Sequence, residues 1–547
     1  MVSFRLIVAG AVFAQTLLGV SARALDANDT TTNATNSTAA TETITFPTTA
    51  SSIQIQANAS IAIIGAGPAG VHYASLLAQK GFSNITILEY SNEIGGKSKT
   101  VVDDAGYPHE LGTCYTHALY DPIIDLINKY DPTNVLVPFD PMVSGNTLIM
   151  SDNTPLYDYP TYAFLLSRNL TGITSITGLQ SALQQAFVKY IGLHQSFFGR
   201  YSYGLPPQPK DWTQLAGTAA QFIQNNQLQV IQPWFEMLFE RQGYGSLAST
   251  PAFYLLWWGH PDLVRRYLVA SSQGKPWVFM LSNGYQSLWE SIAKAHANDF
   301  SIQFRTAVTS ISQRDTQPQV TVRQWPIGGN PKTDGVVSTL SFDHIVMAVD
   351  LSISSPDLST EKGSPIQITD LDETEKWLFN GYTSAAFVTT KFTSPPLPFE
   401  AVVEWWPERG QGAFQGRVQL ARNTHMALWN STAALSAPLN ATAAQSRVVY
   451  QHYDPASATT SRQTYQATLT SDLASMFPGY DANPTTTFFA SYAPRTSTDK
   501  LTQNQPWAIW NNQGAHHTTW IGSSVTFESV LDVVTYNQNL IDRVQLV

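Results

Sequence analysis

Apolar residues first gather between Leu6 and Val20, behind Arg5 and ahead of the small-x-small triplet Ala22-Arg23-Ala24. About 15 apolar residues are too few for the ~20 that cross a bilayer, so the pattern predicts a cleaved signal peptide over residues 1–24. Residues 25–57 are mostly Thr, Ala, Ser and Asn. They cannot repay the entropy of ordering, which predicts a disordered, glycosylated lead-in. Periodicity begins near residue 58. Ile61-Ala62-Ile63-Ile64 is a short apolar run closed by glycine, as a buried parallel strand is, and Ala69 to Gln79 has helical composition up to Gly81. Ile85-Thr86-Ile87-Leu88-Glu89 is a second strand. Strand, turn, helix and strand within about 30 residues make a βαβ unit with a right-handed crossover and a parallel sheet.

Between 141 and 274 aromatic residues and helix formers dominate, and their spacing predicts helices over Leu179–Tyr190, Ala216–Phe239 and Pro251–Ser271. The earlier pattern returns with Asn283-Gly284-Tyr285-Gln286-Ser287-Leu288 opening a helix to Ala297, strands at Ile302–Phe304 and Val308–Ile311, and another at Asp343–Ala348. β-Branched and aromatic runs at Ala386–Lys391 and Val448–His452 predict a further sheet, and a last strand and helix run from Thr519 to the C-terminus. The expected fold is α/β. A discontinuous Rossmann-type domain takes residues 58–140, 275–352 and 491–547, and a mixed α+β substrate domain takes 141–274 and 353–490.

Of 547 residues 43% are hydrophobic and 12% aromatic, enough for large cores, while the charged fraction of 13% is about half the ~25% usual in soluble proteins. A net charge of −10 with no basic run disfavours nucleic-acid binding. No segment of the mature chain reads as membrane-spanning. Sequons at Asn28, Asn33, Asn36, Asn58, Asn84, Asn169, Asn430 and Asn440 fit passage through a glycosylating lumen, so secretion or residence in an endomembrane lumen is expected. Cys114 stands alone, which excludes an internal disulfide or a thiolate zinc site, and His516-His517 lacks the helical spacing that aims two imidazoles at one metal. No metal centre is predicted.

Gly65-Ala66-Gly67-Pro68-Ala69-Gly70 is G-x-G-x-x-G directly after a strand and at the opening of a helix. The first glycine permits the tight turn, the second lets a pyrophosphate approach the backbone, and the third lets helix and strand pack closely. Ala69 lies in the first helical turn, whose amides and dipole favour an anion. Glu89, nineteen residues past Gly70 at the end of the second strand, is placed to accept hydrogen bonds from an adenosine ribose. The continuation Glu93-Ile94-Gly95-Gly96-Lys97-Ser98 and His109-Glu110-Leu111-Gly112 resembles the flavin-containing amine-oxidase-like superfamily, of the glutathione-reductase-2 type of FAD-binding fold. That resemblance implies FAD, with Gly95, Gly96 and Lys97 along the phosphates, Gly112 against the isoalloxazine, and Val308 meeting adenine through its backbone. Trp520-Ile521-Gly522-Ser523-Ser524-Val525-Thr526 fits the same resemblance, with Gly522, Val525 and Thr526 beside the flavin N1/O2 edge at the start of the last helix. Two departures stand out: Lys97 where the superfamily usually has Arg, and no acid at Ser523. Gly-Gly-Lys-Ser-Lys-Thr, His-Glu-Leu-Gly-Thr-Cys-Tyr and the lumenal leader are most similar to the fungal β-cyclopiazonate dehydrogenase family over residues 60–547. The resemblance implies oxidation or oxidative cyclisation of secondary metabolites.

Flavin carries the redox chemistry in such enzymes, so no side-chain nucleophile is required. No G-x-S-x-G or H-E-x-x-H motif is present, and the lack of a second dinucleotide motif favours molecular oxygen as electron acceptor. His109, Glu110 and Lys275 are the candidate catalytic side chains, with Lys391 a second choice for a water-positioning lysine. Cys114 reads as a buried small hydrophobe, and Trp257, Trp258, Trp405 and Trp406 as walls of an apolar substrate cavity or as core. Three alternatives remain open: an internal-redox isomerase of polyunsaturated lipids, an amine oxidase, and a flavin-less binding module.

Overall fold

The computed structural model describes residues 51–547 except 118, 143–144, 274, 332, 351–365, 398, 400, 411–415, 425, 427–443, 455–461 and 482–483. The leader and the sequons at Asn28, Asn33, Asn36, Asn430 and Asn440 lie outside the described residues. Five parallel strands frame the site, in the spatial order Phe300–Gln303, Ile85–Leu88, Ile61–Ile64, His344–Met347 and Thr518–Trp520. Ile61–Ile64 is buried at every position, which is why it reads as a continuous apolar run rather than an alternating one. The crossover helix Pro68–Gln79 begins with proline, whose missing N–H costs nothing at a helix start. The last helix, Val530–Ile541, packs on it, and the Asn537 amide donates to the Ala69 carbonyl at 2.9 Å.

A four-stranded sheet stands beside this frame in the order Val336–Ser341, Gln319–Gln324, Thr306–Ser312 and Gln367–Ile368, with a bulge between Val308 and Ser310. The largest sheet has seven strands: Thr486–Arg495, Thr383–Ser394, Gln445–Tyr453, Val418–Arg422, Val403–Trp405, Thr147–Ser151 and Thr154–Asp158. Both stretches assigned to a substrate domain contribute to it. Its edge strand runs to Arg495, past the expected boundary at residue 491.

Several local expectations change. Ile53–Ile55 is a strand paired in parallel with Val544–Leu546, so the lead-in is ordered before residue 57. Ile53 and Ile55 are buried and Gln54 is exposed, an alternation that fits a half-buried edge. Ala216–Phe239 is not one helix but Ala219–Asn225, a 3₁₀ turn at Gln229–Ile231, and Gln232–Leu238; Gln227 at φ +55 breaks the first helix and Pro233 opens the last. Pro251–Ser271 likewise divides into Ala252–Trp258 and Pro261–Ser272, because a residue before proline is pushed out of the α region and His260 sits at ψ 139. Leu179–Tyr190 is the centre of a longer helix, Ile176–Phe198.

Candidate active site

The loops at the carboxyl ends of the parallel strands converge as a crevice of the kind that holds dinucleotides in doubly wound sheets. Gly65 has φ +106, and a Cβ there would lie 3.1 Å from the Ala348 carbonyl. A Cβ at Gly70 would lie 2.0 Å from the Gly65 carbonyl oxygen, so the third glycine sets the approach of helix to turn. Gly67 differs: it has an extended backbone that any residue adopts, and a Cβ would find only Gly96 Cα at 3.7 Å. Nothing in the chain requires glycine there. The open space in front of it, at a helix N-terminus, fits an approaching pyrophosphate. Gly95 (φ +128) and Gly96 (φ +51) form the opposing turn, and a Cβ on Gly96 would come within 2.9 Å of Gly67 Cα. Gly522 closes the crevice beside Ala69.

Glu89 accepts the Ala66 amide at 2.6 Å and the Ser91 amide at 2.7 Å, one on each carboxylate oxygen. Each oxygen keeps a lone pair for a ribose hydroxyl. Gln286 braces the Gly95-Gly96 turn, donating to the Ile94 carbonyl at 2.8 Å and accepting the Thr100 amide at 2.9 Å. Val308 lies at the bulge, beyond the bridge that Gln367–Ile368 makes with Ser310 and Ile311. These residues fit an ADP-bearing cofactor: Gly65, Gly67, Ala69 and Gly70 would hold its diphosphate and Glu89 its ribose.

Three positions that the resemblance assigns to the cofactor also make contacts within the chain. Lys97 is paired within the chain: its Nζ lies 2.8 Å from Glu528 Oε2 and 3.3 Å from Ser523 Oγ, above the Tyr492 ring. Gly112 lines the cavity beside Thr113 and Cys114, and its own chain also requires glycine there, because a Cβ would overlap the Lys97 carbonyl at 1.8 Å. The Val525 and Thr526 amides both donate to the Gly522 carbonyl, at 3.0 and 3.3 Å, and the last helix starts only at Val530, eight residues past Gly522. Its first turn is capped by Ser529, whose hydroxyl accepts the Asp532 amide at 3.1 Å.

Beside Glu528, Ser529 and Val530 opens a cavity that reaches between the parallel-sheet domain and the seven-stranded sheet. Its body is apolar and aromatic, with Trp258, Leu263, Trp277, Phe387, Leu420 and Tyr450 among its walls. Burial pushes the Cys114 thiol up to about 12 and the His117 imidazole down to about 3, so both are neutral at pH 7. Arg241 also faces the cavity. Arg422 stiffens the wall from behind, donating to the Glu110 carbonyl at 2.6 Å and to Cys114 Sγ, with its guanidinium near the Tyr115 and Tyr450 rings.

Among the four predicted tryptophans, Trp258 lines the cavity; Trp257 is core and donates to the Gly204 carbonyl, Trp406 belongs to a separate cluster, and Trp405 stacks behind Arg241. Lys275 is exposed, outside the cavity lining, and Lys391 is half-buried on the strand Thr383–Ser394, also outside it. Glu110 is buried and holds the N-terminus of the helix Tyr285–Ala295, accepting the Tyr285 amide at 2.7 Å and the Thr100 hydroxyl at 2.8 Å. Burial pushes its carboxyl up to about 7. His109 pairs with Asp103 at 2.8 Å. Both act as scaffold in this geometry. The ligand atoms of Asp372, Glu375 and His516 lie within 4.8 Å of one another, yet Glu375 pairs with Arg314, Asp372 caps its own helix, and His516 bridges Asp315 and Asp372. Sequence reasoning missed Arg241, Glu528, Phe387 and Tyr450. For the first, the sequence offers only an arginine among the aromatic and acidic residues of Trp234–Tyr244.

A parallel sheet with a glycine cradle, a ribose acid and a chamber with aromatic walls defines an FAD-dependent oxidoreductase with the amine-oxidase-like fold. The match is to the family of flavin containing amine oxidoreductases over residues 68–507, and the chain belongs to that family. It is 22% identical over 501 residues to the polyenoic fatty acid isomerase of Ptilota filicina, covering 88% of this chain and 94% of that one. It is 23% identical over 331 residues to the FAD-dependent oxidoreductase dpasF of Apiospora sacchari, covering 60% of this chain and 61% of that one. Among solved structures, the CLA-producing fatty acid isomerase from P. acnes shares the fold with TM-score 0.65, 16% identity, and coverage of 89% of this chain and 99% of that one. Putrescine oxidase bound to putrescine shares it with TM-score 0.55, 13% identity, and coverage of 89% and 99%.

Proposed function

We propose that this FAD-dependent oxidoreductase is secreted or lumenal and removes hydride from a C–H bond of an apolar small molecule, with molecular oxygen as electron acceptor, in oxidation or oxidative cyclisation within fungal secondary metabolism. The carrying observation is the chamber between the parallel-sheet domain and the seven-stranded sheet, walled by aromatic and aliphatic side chains such as Trp258, Leu263, Trp277, Phe387 and Tyr450. Bound FAD supplies hydride acceptance. The chain's part is to hold the diphosphate and ribose at Gly65–Gly70 and Glu89, to orient an apolar substrate, and to exclude water with Trp258, Phe387 and Tyr450. The neutral His117 and Cys114 suit removal of hydride from carbon without a charged base. Similarity to dpasF and the exposure of Asn58, Asn84 and Asn169 support a fungal, lumenal setting. The test is anaerobic mixing of the yellow holoprotein with candidate metabolites: bleaching of the flavin band supports the reading, and persistent colour across a broad panel refutes it.

A second reading, internal-redox isomerisation of a polyunsaturated lipid, is favoured by the fatty acid isomerase that spans 88% of this chain. Oxygen uptake during turnover separates the two, since isomerisation needs none. An amine oxidase fits less well, because a substrate ammonium would share the cavity with Arg241 and no lysine is among the described residues that line it. A flavin-less binding module requires a colourless protein that releases no FAD on denaturation.

A further inference from the structure

Arg241 is 6% exposed, faces the cavity, and follows the helix Gln232–Leu238 on a single 3₁₀ turn, Glu240–Gln242. Its guanidinium lies over the Trp405 ring with Cζ 4.3 Å from the centroid. Among the described residues only Nη1 has a partner, the Met237 thioether sulfur, which is a weak acceptor; Nε and Nη2 are buried with none. A guanidinium removed from water normally meets a carboxylate or several carbonyls. The two nearby acids are committed elsewhere: Glu236 accepts from Gln232 at 2.9 Å and from Tyr162 at 3.3 Å, and Glu240 accepts the Leu247 amide. Burial first, then the neighbouring Glu236, pushes the Glu240 carboxyl up to about 8, so it is mostly uncharged at pH 7. Burial pushes Arg241 down to about 9, which leaves it a cation.

We propose that Arg241 is the anchor for the carboxylate of the substrate, so that the cavity takes an apolar monocarboxylic acid with its acid group at Arg241 and its body along Trp258, Trp277 and Phe387. Trp405 behind the guanidinium fixes its plane, and Nε and Nη2, buried without a partner among the described residues, form the two-pronged edge that a carboxylate entering beside Arg241 accepts. Met237 leaves that face unoccupied. The assignment deepens the proposed function and rests on its reading of this cavity as the substrate chamber.

The test uses holoenzyme and reads quenching of tryptophan fluorescence, since Trp258 and Trp277 line the cavity. Oleate and pyrenebutyrate are titrated against their methyl esters and against oleylamine. At least one acid is expected to bind saturably, with its ester and the amine at least about tenfold weaker. Arg241→Met is expected to weaken the acid by roughly 10- to 100-fold and to leave the ester unchanged. Without ligand, Arg241→Met is expected to melt at or above the wild-type temperature, because it removes a buried charge that has no counter-ion. Equal binding of acid and ester, failure of both acids to bind, undiminished acid binding by Arg241→Met, or a lower melting temperature of that variant overturns the anchor. Should Arg241→Met not fold, Arg241→Lys decides: a reduced acid-to-ester ratio supports the two-pronged contact and an unchanged ratio refutes it. Flavin bleaching is scored separately. Acid binding lost in Arg241→Met without any bleaching leaves the anchor standing and removes the hydride-transfer reading; bleaching by a neutral compound or an amine with no acid bound does the reverse.

Discussion

Gly67→Ala separates what the chain needs from what the cofactor needs. The new methyl meets no protein atom closer than Gly96 Cα at 3.7 Å, an ordinary contact, and the backbone at φ −75 and ψ −179 suits alanine. Restricting the unfolded chain at such a position stabilises by about 0.4–1 kcal/mol, so the apoprotein should melt at or slightly above the wild-type temperature. The same methyl fills the space through which a diphosphate reaches the helix amides. Moving the diphosphate outward sacrifices one or two hydrogen bonds to a charged group, each worth about 1.5–3 kcal/mol, which predicts FAD binding weaker by roughly 10- to 10⁴-fold. Gly70→Ala provides the contrast: its methyl would sit 2.0 Å from the Gly65 carbonyl oxygen, so helix and turn must separate and the apoprotein itself should lose stability. The assay is titration of apoprotein with FAD, followed by quenching of flavin fluorescence, beside melting curves without FAD. Wild-type affinity in Gly67→Ala would refute the placement of the diphosphate.

Glu89→Gln replaces one of two acceptors with a donor facing a backbone N–H, at Ala66 or Ser91; a loss of about 1–3 kcal/mol in apoprotein stability and a drop in FAD affinity are expected, read by melting and titration. Lys97→Met leaves Glu528 buried without its cation, while Lys97→Met with Glu528→Gln removes both charges. With Lys97 29% exposed, the single change should cost about 1–3 kcal/mol and the double change less, so a cycle in which the costs simply add refutes the coupling. Stability should have a broad maximum near about pH 6. His72, His117, His344 and His452, pushed down to about 3 by burial, make the unfolded chain bind more protons below its histidine pKa, so stability rises with pH there. Glu110 and Glu240, pushed up to about 7 and about 8, keep protons in the folded state that the unfolded chain has lost, so stability falls as pH rises through that window. Glu110→Gln should flatten the fall by on the order of 3 kcal/mol between pH 4 and pH 8, measured by denaturant titration; an unaltered profile refutes the assignment.

The dinucleotide cradle was readable from the chain because its parts are close in sequence. Gly65, Gly70 and Glu89 act within one βαβ unit, so spacing alone carries the geometry. The strand Ile53–Ile55 was not, since the edge that buries it is Val544–Leu546 at the far end of the chain, and an isolated I-Q-I among Thr and Ala has no local advantage. The helix breaks at Gln227 and Pro261 show the opposite failure: apolar spacing continues across them, and the backbone does not.

Electrostatics was the least legible layer, because the meaning of a charge depends on what the fold brings to it. Lys97 lies in a phosphate-like motif, but Glu528 reaches it from the other end of the chain, and the cation neutralises a buried carboxylate. Arg241 is the reverse case: Glu236 and Glu240 precede it in sequence, which suggests a paired surface arginine, yet both turn to other donors and leave it against Trp405 and the Met237 sulfur. A composition with few charges makes each buried one informative. Where the fold supplies a partner, as for Lys97, the charge is scaffold; where a cation faces an apolar chamber with two donors idle, a ligand with an acid group is the partner that chemistry calls for.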